Sequence, residues 1–352
     1  MGEFLDAADQ LNKRDVLSES EGEAVEKVFE GISALQRVHS KADLEISNIE
    51  SVFAAFEMAK TLGGFADYSP SDIEGLISSL RRVIVATIES SLEFPAYTSA
   101  SSVGIVSPED GTNVIEVSPP NPYLEFVRKI KNVRQEYSPK RTAAVLTFNY
   151  DLAIDYAFHY ENESVDYGFS NQEVCEESIS VLKLHGSLNW ARGKDTGNIY
   201  PQRLGYFLNG EWNEYQRNAP FHLYIGSEIE DCRISGEEVE DEPVLVPPTW
   251  NKSEYQSQLQ SVWSRASDEL KEAEHIFCIG FSLNPTDSFF RYLYGLGTVG
   301  NRPLKNFYVV DPAVDQIEDR YRDMLGPAAE RVFRPIEGTF EGALDVVEQE
   351  FG

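Results

Sequence analysis

From about residue 142 onward, short apolar runs alternate with segments of helical periodicity, and that alternation leaves few architectures open to the chain. Thr142 to Phe148, Ser180 to Leu184, Val244 to Val246, His275 to Ile279 and Asn306 to Val310 have strand length and are apolar almost throughout. Continuous runs of this kind suit strands buried on both faces of a sheet. Helical candidates at Tyr123 to Gln135, Leu152 to His159, Tyr255 to Ala273 and Thr286 to Tyr294 fall between several of them. Strands that take turns with helices build a parallel sheet with helices outside, so the expected fold class is α/β.

The first hundred residues read differently. Val25, Val28, Phe29, Ile32, Leu35 and Val38 recur at helical spacing and predict an amphipathic helix over residues 22 to 38. Ser47 with Glu50 and Ser71 with Glu74 have the spacing of a capping box, in which each side chain serves the other's free backbone N-H, and they predict two more helix starts. The segment from Ser99 to Pro122 is rich in Ser, Gly and Pro without periodicity and is expected to be a loop or crossover. Residues 191 to 242 interrupt the α/β rhythm, and the acidic stretch from Glu228 to Glu242 reads as a solvated insertion rather than a cation site. Leu344, Val347 and Phe351 predict a closing helix from Glu341 to Phe351. The expected organisation is a helical portion over 1 to 100 and an α/β core over 101 to 352 that carries the insertion at about 191 to 242, with no internal repeat.

Charge and cysteine usage exclude several classes. With 30 Lys and Arg against 59 Asp and Glu among 352 residues, the formal charge is -29, and no basic patch overrides it. Nucleic acid is held through cations on its phosphates, so the expectation is no nucleic-acid partner. A hydrophobic content of 41% is enough for one large or two ordinary domains. Cys175, Cys232 and Cys278 are odd in number and far apart, which predicts neither a disulfide framework nor a zinc ribbon, and no metal. The chain has no apolar run near the ~20 residues of a membrane helix. Its first fifteen residues lack the basic start and apolar core of a signal peptide. No membrane association and a cytoplasmic location are therefore expected.

In open parallel sheets a ligand binds at the carboxyl ends of the strands, so the residues just beyond each run are the informative ones. The first run leads into Asn149-Tyr150-Asp151 and then a helix. Asn and Asp there serve either as helix caps or as site residues. The second leads into His185-Gly186-Ser187-Leu188-Asn189-Trp190, where the imidazole is either a general base or a hydrogen-bonded turn group. His39, His159, His222 and His275 lack a comparable setting and read as structural or surface groups. The third leads into Gly280-Phe281-Ser282-Leu283-Asn284-Pro285-Thr286-Asp287, a helix, and a strand ending in Asp311. That order is half of a nucleotide-binding unit: a glycine lets backbone approach a phosphate at a helix N-terminus, and an acid after the next strand accepts from ribose hydroxyls.

Taken in order, Thr147-Phe148-Asn149-Tyr150-Asp151, Lys183-Leu184-His185-Gly186-Ser187-Leu188-Asn189-Trp190, Val246-Pro247-Pro248-Thr249-Trp250-Asn251-Lys252 and Ile279-Gly280-Phe281-Ser282-Leu283-Asn284-Pro285-Thr286-Asp287 resemble the sirtuin-like family, specifically its bacterial, zinc-free branch. The resemblance covers about residues 140 to 312. It implies a Rossmann-like parallel sheet with flanking helices, and NAD as substrate. Asn149 and Asp151 match the family's Asn-x-Asp site and His185 its catalytic histidine, while Gly280, Ser282 and Asp311 fall where the family contacts the dinucleotide. The implied reaction cleaves the bond between nicotinamide and ribose, with Asn149 positioning water or ribose, Asp151 holding nicotinamide or orienting Asn149, and His185 as general base. The branch also implies a role in bacterial antiphage defence, with a homo-oligomer or a defence-system protein as partner.

One departure stands out. The family opens with a strand and a Gly-Ala-Gly loop that cradles the pyrophosphate, whereas Leu62-Gly63-Gly64-Phe65 follows a predicted helix. The expectation is that the sequence begins downstream of the domain start or that the loop has been lost. Three alternatives stay open: an inactive domain that senses NAD or an ADP-ribose derivative or binds a partner, a protein deacylase, and an acidic α/β protein whose Asn, His and Asp are only caps and turn groups.

Overall fold

A computed structural model describes residues 2–38, 44, 46–94, 96–99, 114–136, 142–172, 175, 177–204, 222–229, 233–234, 236–246, 259–283, 288–300 and 302–351. The elements begin with helices α1 (Gly2–Lys13), α2 (Glu19–Val38), α3 (Ile49–Thr61) and α4 (Pro70–Ser91), then strands β1 (Ala96–Ser99) and β2 (Val114–Val117). Next come α5 (Asn121–Glu136), β3 (Ala144–Thr147), α6 (Ala153–Tyr160), β4 (Val165–Asp166) and β5 (Ile179–Lys183). The short strands β6 (Trp190–Arg192), β7 (Ile199–Pro201), β8 (Arg233–Ile234) and β9 (Glu237–Glu238) follow. The chain closes with α7 (Gln260–Glu272), β10 (His275–Ile279), α8 (Ser288–Gly297), β11 (Asn306–Asp311), α9 (Val314–Arg322), α10 (Pro327–Glu330), β12 (Phe333–Glu337) and α11 (Phe340–Phe351).

The chain divides into two compact units, Met1–Pro120 with Phe148–His159 and His185–Gln258, and Asn121–Thr147 with Tyr160–Leu184 and Leu259–Gly352. In the first unit, α1 to α4 share one apolar core in which Val28, Val52, Phe53, Phe56, Ile73, Leu76 and Leu80 are inaccessible to solvent. Burying side chains of this size contributes roughly 1.5–3 kcal/mol each, enough to set four amphipathic helices against one another. Gly31 lets α2 approach closely, since a Cβ there would lie 2.9 Å from the Phe56 ring. The predicted helices over this region are present, but their caps are displaced. Asn48, not Ser47, caps α3 by accepting from the Glu50 N-H. At α4 the capping box is Ser69 with Asp72, not Ser71 with Glu74, and Pro70 fills the first helical position.

Two further expectations are corrected in this unit. The stretch from Ser99 to Pro122 was expected to be irregular, yet β2 within it pairs antiparallel with β1. Residues 100 to 113 lie outside the described residues. Val244 to Val246 forms no strand and makes a single antiparallel bridge, Leu245 to Gly186, because the turn at 186 offers it only two or three backbone groups. Residues 191 to 242 hold the hairpins β6–β7 and β8–β9, pinned by a small cluster of Ala191, Ile229, Val239 and Ile234.

The second unit carries the parallel sheets. Strands lie in the order β3-β5-β4 in one and β10-β11-β12 in the other, every pair parallel. With α8 between β10 and β11, and α9 and α10 between β11 and β12, residues 275 to 337 form a βαβαβ unit of Rossmann-like kind. The fold class is thus α/β with a helical N-terminal part. Strand β5 is buried at all five positions, as its unbroken apolar run predicts, whereas β10, at the end of its sheet's order, is mostly half-buried. The helices expected at 123 to 135, 152 to 159 and 341 to 351 are present as α5, α6 and α11. Residues 255 to 258 and 286 to 287, which belong to the starts expected for α7 and α8, lie outside the described residues, as does the Pro247 to Lys252 segment. No helix among the described residues is long and apolar enough to cross a membrane.

Candidate functional site

Strand β3 ends at Thr147, and the chain turns through Phe148-Asn149-Tyr150-Asp151 into α6. Asn149 is exposed. Asp151 is half-buried, and its Oδ1 accepts from the Ala153 N-H at 3.0 Å. That bond satisfies one of the donors a helix start leaves open, so the cap reading of Asp151 holds for one carboxylate oxygen.

The second run, β5, ends at Lys183, and the imidazole of His185 follows with 8% exposure. The Phe148 ring meets it edge-on, centroids 4.7 Å apart at 66°, while the Tyr150 ring lies nearly parallel to it at 6.1 Å and 28°. The structure therefore brings His185 against the two residues that flank Asn149. The turn that does this requires glycine at 186: its φ is +89°, and a Cβ there would fall 2.0 Å from the Val244 carbonyl oxygen. Three backbone bonds fix it, from Val246 N-H to His185 O at 2.7 Å, from Ser187 N-H to Val244 O at 3.1 Å and from Leu188 N-H to Tyr150 O at 3.1 Å. Tyr150 also donates its hydroxyl to the Val246 carbonyl.

The remainder of this motif is internal. Ser187 and Asn189 are buried, with Ser187 Oγ donating to Asn189 Oδ1 at 2.8 Å and Asn189 Nδ2 donating to the Gln202 carbonyl at 3.2 Å. Trp190 is fully buried. These side chains hold the turn's shape.

Sequence patterns did not point to the most unusual group in this unit. Glu89, 2% exposed in the last turn of α4, accepts from the Ile225 N-H at 2.8 Å, the Gly226 N-H at 2.6 Å, and the N-H and Oγ of Ser227 at 3.2 and 2.6 Å. Burial pushes its carboxyl up to about 7, against the lowering effect of those four donors. Nothing local marks it, because its partners lie over 130 residues away in sequence. Gly226, in turn, backs the histidine turn: a Cβ on it would lie 3.0 Å from the Leu188 carbonyl oxygen. His222 is structural, with Nδ1 2.9 Å from the Leu92 carbonyl.

Leu62-Gly63-Gly64-Phe65 closes a helix. Gly63 and Gly64 have φ of +86° and +131°, and their N-H groups bond back to Lys60 and Ala59 of α3. Those donors end the helix and form no pyrophosphate bed.

In the second unit, β10 and β11 run side by side, Ile279 opposite Val310, so the turn after 279 adjoins Asp311. Gly280 has φ of +62° and donates its N-H to the Val310 carbonyl at 2.9 Å. Among the described residues, its chain neighbours aside, no atom lies within 4 Å of where its Cβ would be. Ser282 is exposed, and its carbonyl accepts from Arg320 at 3.0 Å. Leu283, buried, is held at φ +48°, a conformation that branched residues seldom adopt. Tyr321 braces the turn from beneath by donating to the Phe281 carbonyl at 2.6 Å. Asp311 Oδ1 accepts from the Ala313 N-H at 2.8 Å, a second carboxylate engaged at a helix start. Cys278 is buried, and desolvation pushes its thiol up to about 12, which keeps it unreactive. Cys175 is exposed, and among the described residues no cluster of three His, Cys, Asp or Glu side chains is placed to hold a metal.

No family profile matches the chain, and no curated protein matches it. Among solved structures it is similar to a Sir2 homologue in complex with NAD, at 15% identity over 67% of this chain and 66% of the other, with a TM-score of 0.34. It is also similar to a mutant Sir2 homologue in complex with ADP-ribose, at 15% identity, 67% and 68% coverage and a TM-score of 0.35. A third is Sir2Af2 bound to a myristoylated histone peptide, at 18% identity, 67% and 73% coverage and a TM-score of 0.31. The matched part spans about two thirds of the length of the first of these.

Proposed function

We propose that the chain is a sirtuin-like domain that cleaves NAD to nicotinamide and ADP-ribose. One observation carries the reading: the His185 imidazole, 8% exposed, packs against Phe148 and Tyr150 on either side of the exposed Asn149, within a chain whose motifs come in sirtuin order. Heterolysis of the bond between nicotinamide nitrogen and ribose C1′ gives an oxocarbenium-like centre. Water adds to that centre and loses a proton. Asn149, an exposed residue, positions the water or the ribose. His185 takes the proton from water or from a ribose hydroxyl. Asp151, with Oδ1 committed to the start of α6, acts by fixing the segment that presents Asn149. In the second unit, Gly280, Ser282 and Asp311 are proposed to contact the dinucleotide.

The test is release of free nicotinamide from NAD by the purified chain. General acid-base groups contribute about 10²–10⁴-fold, so His185→Ala is expected to lower turnover by at least ~10²-fold. Full turnover in that variant would remove His185 as the base. A second reading, an inactive sensor of NAD or an ADP-ribose derivative, is favoured by the role of Gly63 and Gly64 in ending α3. NAD binding without nicotinamide release would select it. The biological role proposed is antiphage defence in the cytoplasm, through a homo-oligomer or a defence-system partner, and loss of plaque protection in a His185→Ala strain would be its signature. A deacylase would instead release nicotinamide only when an acyl-lysine peptide is supplied.

A further inference from the structure

We infer that Tyr150 is the positioning residue of His185, which deepens the reading above and rests on it for its catalytic meaning. One residue touches two separate segments of the first unit, the turn at 185 to 188 and Val246. Its carbonyl accepts from the Leu188 N-H at 3.1 Å and its hydroxyl donates to the Val246 carbonyl. Its ring lies alongside the imidazole at 28°. The Val246 N-H then donates to the His185 carbonyl at 2.7 Å, which closes a circuit from the Tyr150 hydroxyl through Val246 to His185 and back through the stacked rings.

An imidazole on an otherwise unrestrained side chain turns about two bonds, and a general base is effective only while its lone pair faces the proton to be removed. Phe148 closes one side of the ring edge-on, and Tyr150 lies against a face, so rotation about the second bond meets one of them. The hydroxyl acts one step further back. By holding Val246, whose N-H donates to the His185 carbonyl, it adds to the backbone bonds that fix residue 185. Tyr150 sits between the two residues of the Asn-x-Asp site.

Two variants separate positioning from simple filling. Tyr150→Phe keeps the ring and removes the hydroxyl. It is expected to lower kcat about three- to tenfold, which is about 0.7 to 1.4 kcal/mol, with KM unchanged. Tyr150→Leu keeps apolar volume and removes the ring as well. It should lower kcat further, and restoring an aromatic ring with Phe should recover most of that loss. Side-chain NMR of His185 supplies a readout independent of turnover: its ring resonances shift in Tyr150→Leu and broaden as the ring samples more orientations. Wild-type kcat in both variants with unmoved His185 resonances would overturn the inference. If the wild-type chain releases no nicotinamide, the proposed function fails, and the His185 resonances alone decide whether Tyr150 holds the ring. Should Tyr150→Leu not fold, Tyr150→Phe decides both readouts.

Discussion

Glu89 combines three unfavourable settings. It is buried, it is anionic when ionised, and it lies in the last turn of α4, near the negative end of the helix dipole, with no basic residue in that turn. Three successive backbone N-H groups and the Ser227 hydroxyl offset part of this, in the manner of an anion nest. With the carboxyl raised from 4.5 to about 7 by desolvation, folding binds a proton to Glu89 in the interval between those values. The stability this contributes is complete below the unfolded value near 4.5 and is lost as pH rises through about 7. Denaturant titrations at several pH values should therefore show the stability difference between wild type and Glu89→Gln falling from pH 4.5 to 7, by an amount on the order of 3 kcal/mol at most. A difference that stays level across that interval would show an unshifted carboxyl. Residues such as Asn149 and His185 were legible in the sequence because chemistry-bearing side chains at strand exits are recognisable by type and order. Glu89 was not, since its donors are backbone groups that any residue could supply.

At the level of elements, apolar spacing identified α2, α5, α6 and α11, and unbroken apolar runs identified β3, β5, β10 and β11. Helix starts were read less well. Ser71 and Glu74 have a capping spacing, but Ser69 precedes them, Pro70 is favoured at the first helical position, and Asp72 completes the box two residues earlier. Ser69→Ala should cost about 0.5–2 kcal/mol of stability, and Ser71→Ala only a few tenths, both read as shifts in thermal midpoint. Equal losses would put the helix start elsewhere. The short strands β4 and β6 to β9 escaped notice because two or three residues have no period to detect. At 244 to 246 the apolar run was real but β pairing stopped at one bridge, because Gly186 turns its backbone away after a single residue.

For the whole molecule, a formal charge of -29 means that compaction works against its own repulsion. The Debye length falls from about 30 Å at 0.01 M salt to about 10 Å at 0.1 M, so screening relieves that repulsion over distances comparable to a unit's width. The thermal midpoint is expected to rise by several degrees over that range of sodium chloride. A falling midpoint would mean that surface ion pairs such as Lys129 with Glu348 outweigh net repulsion.

The sequence by itself determined the fold class, most of the helices, the strand exits and the order of the motif residues, because these follow from side-chain type and short-range periodicity. Only the tertiary structure decided how the chain divides, passing between its two units at 120/121, 147/148, 159/160, 184/185 and 258/259. It alone placed Tyr150 and Phe148 on the His185 ring and set Glu89 among the N-H groups of 225 to 227. Each of these is a contact between segments far apart in sequence, which no local pattern encodes, since it arises only when distant surfaces are packed together.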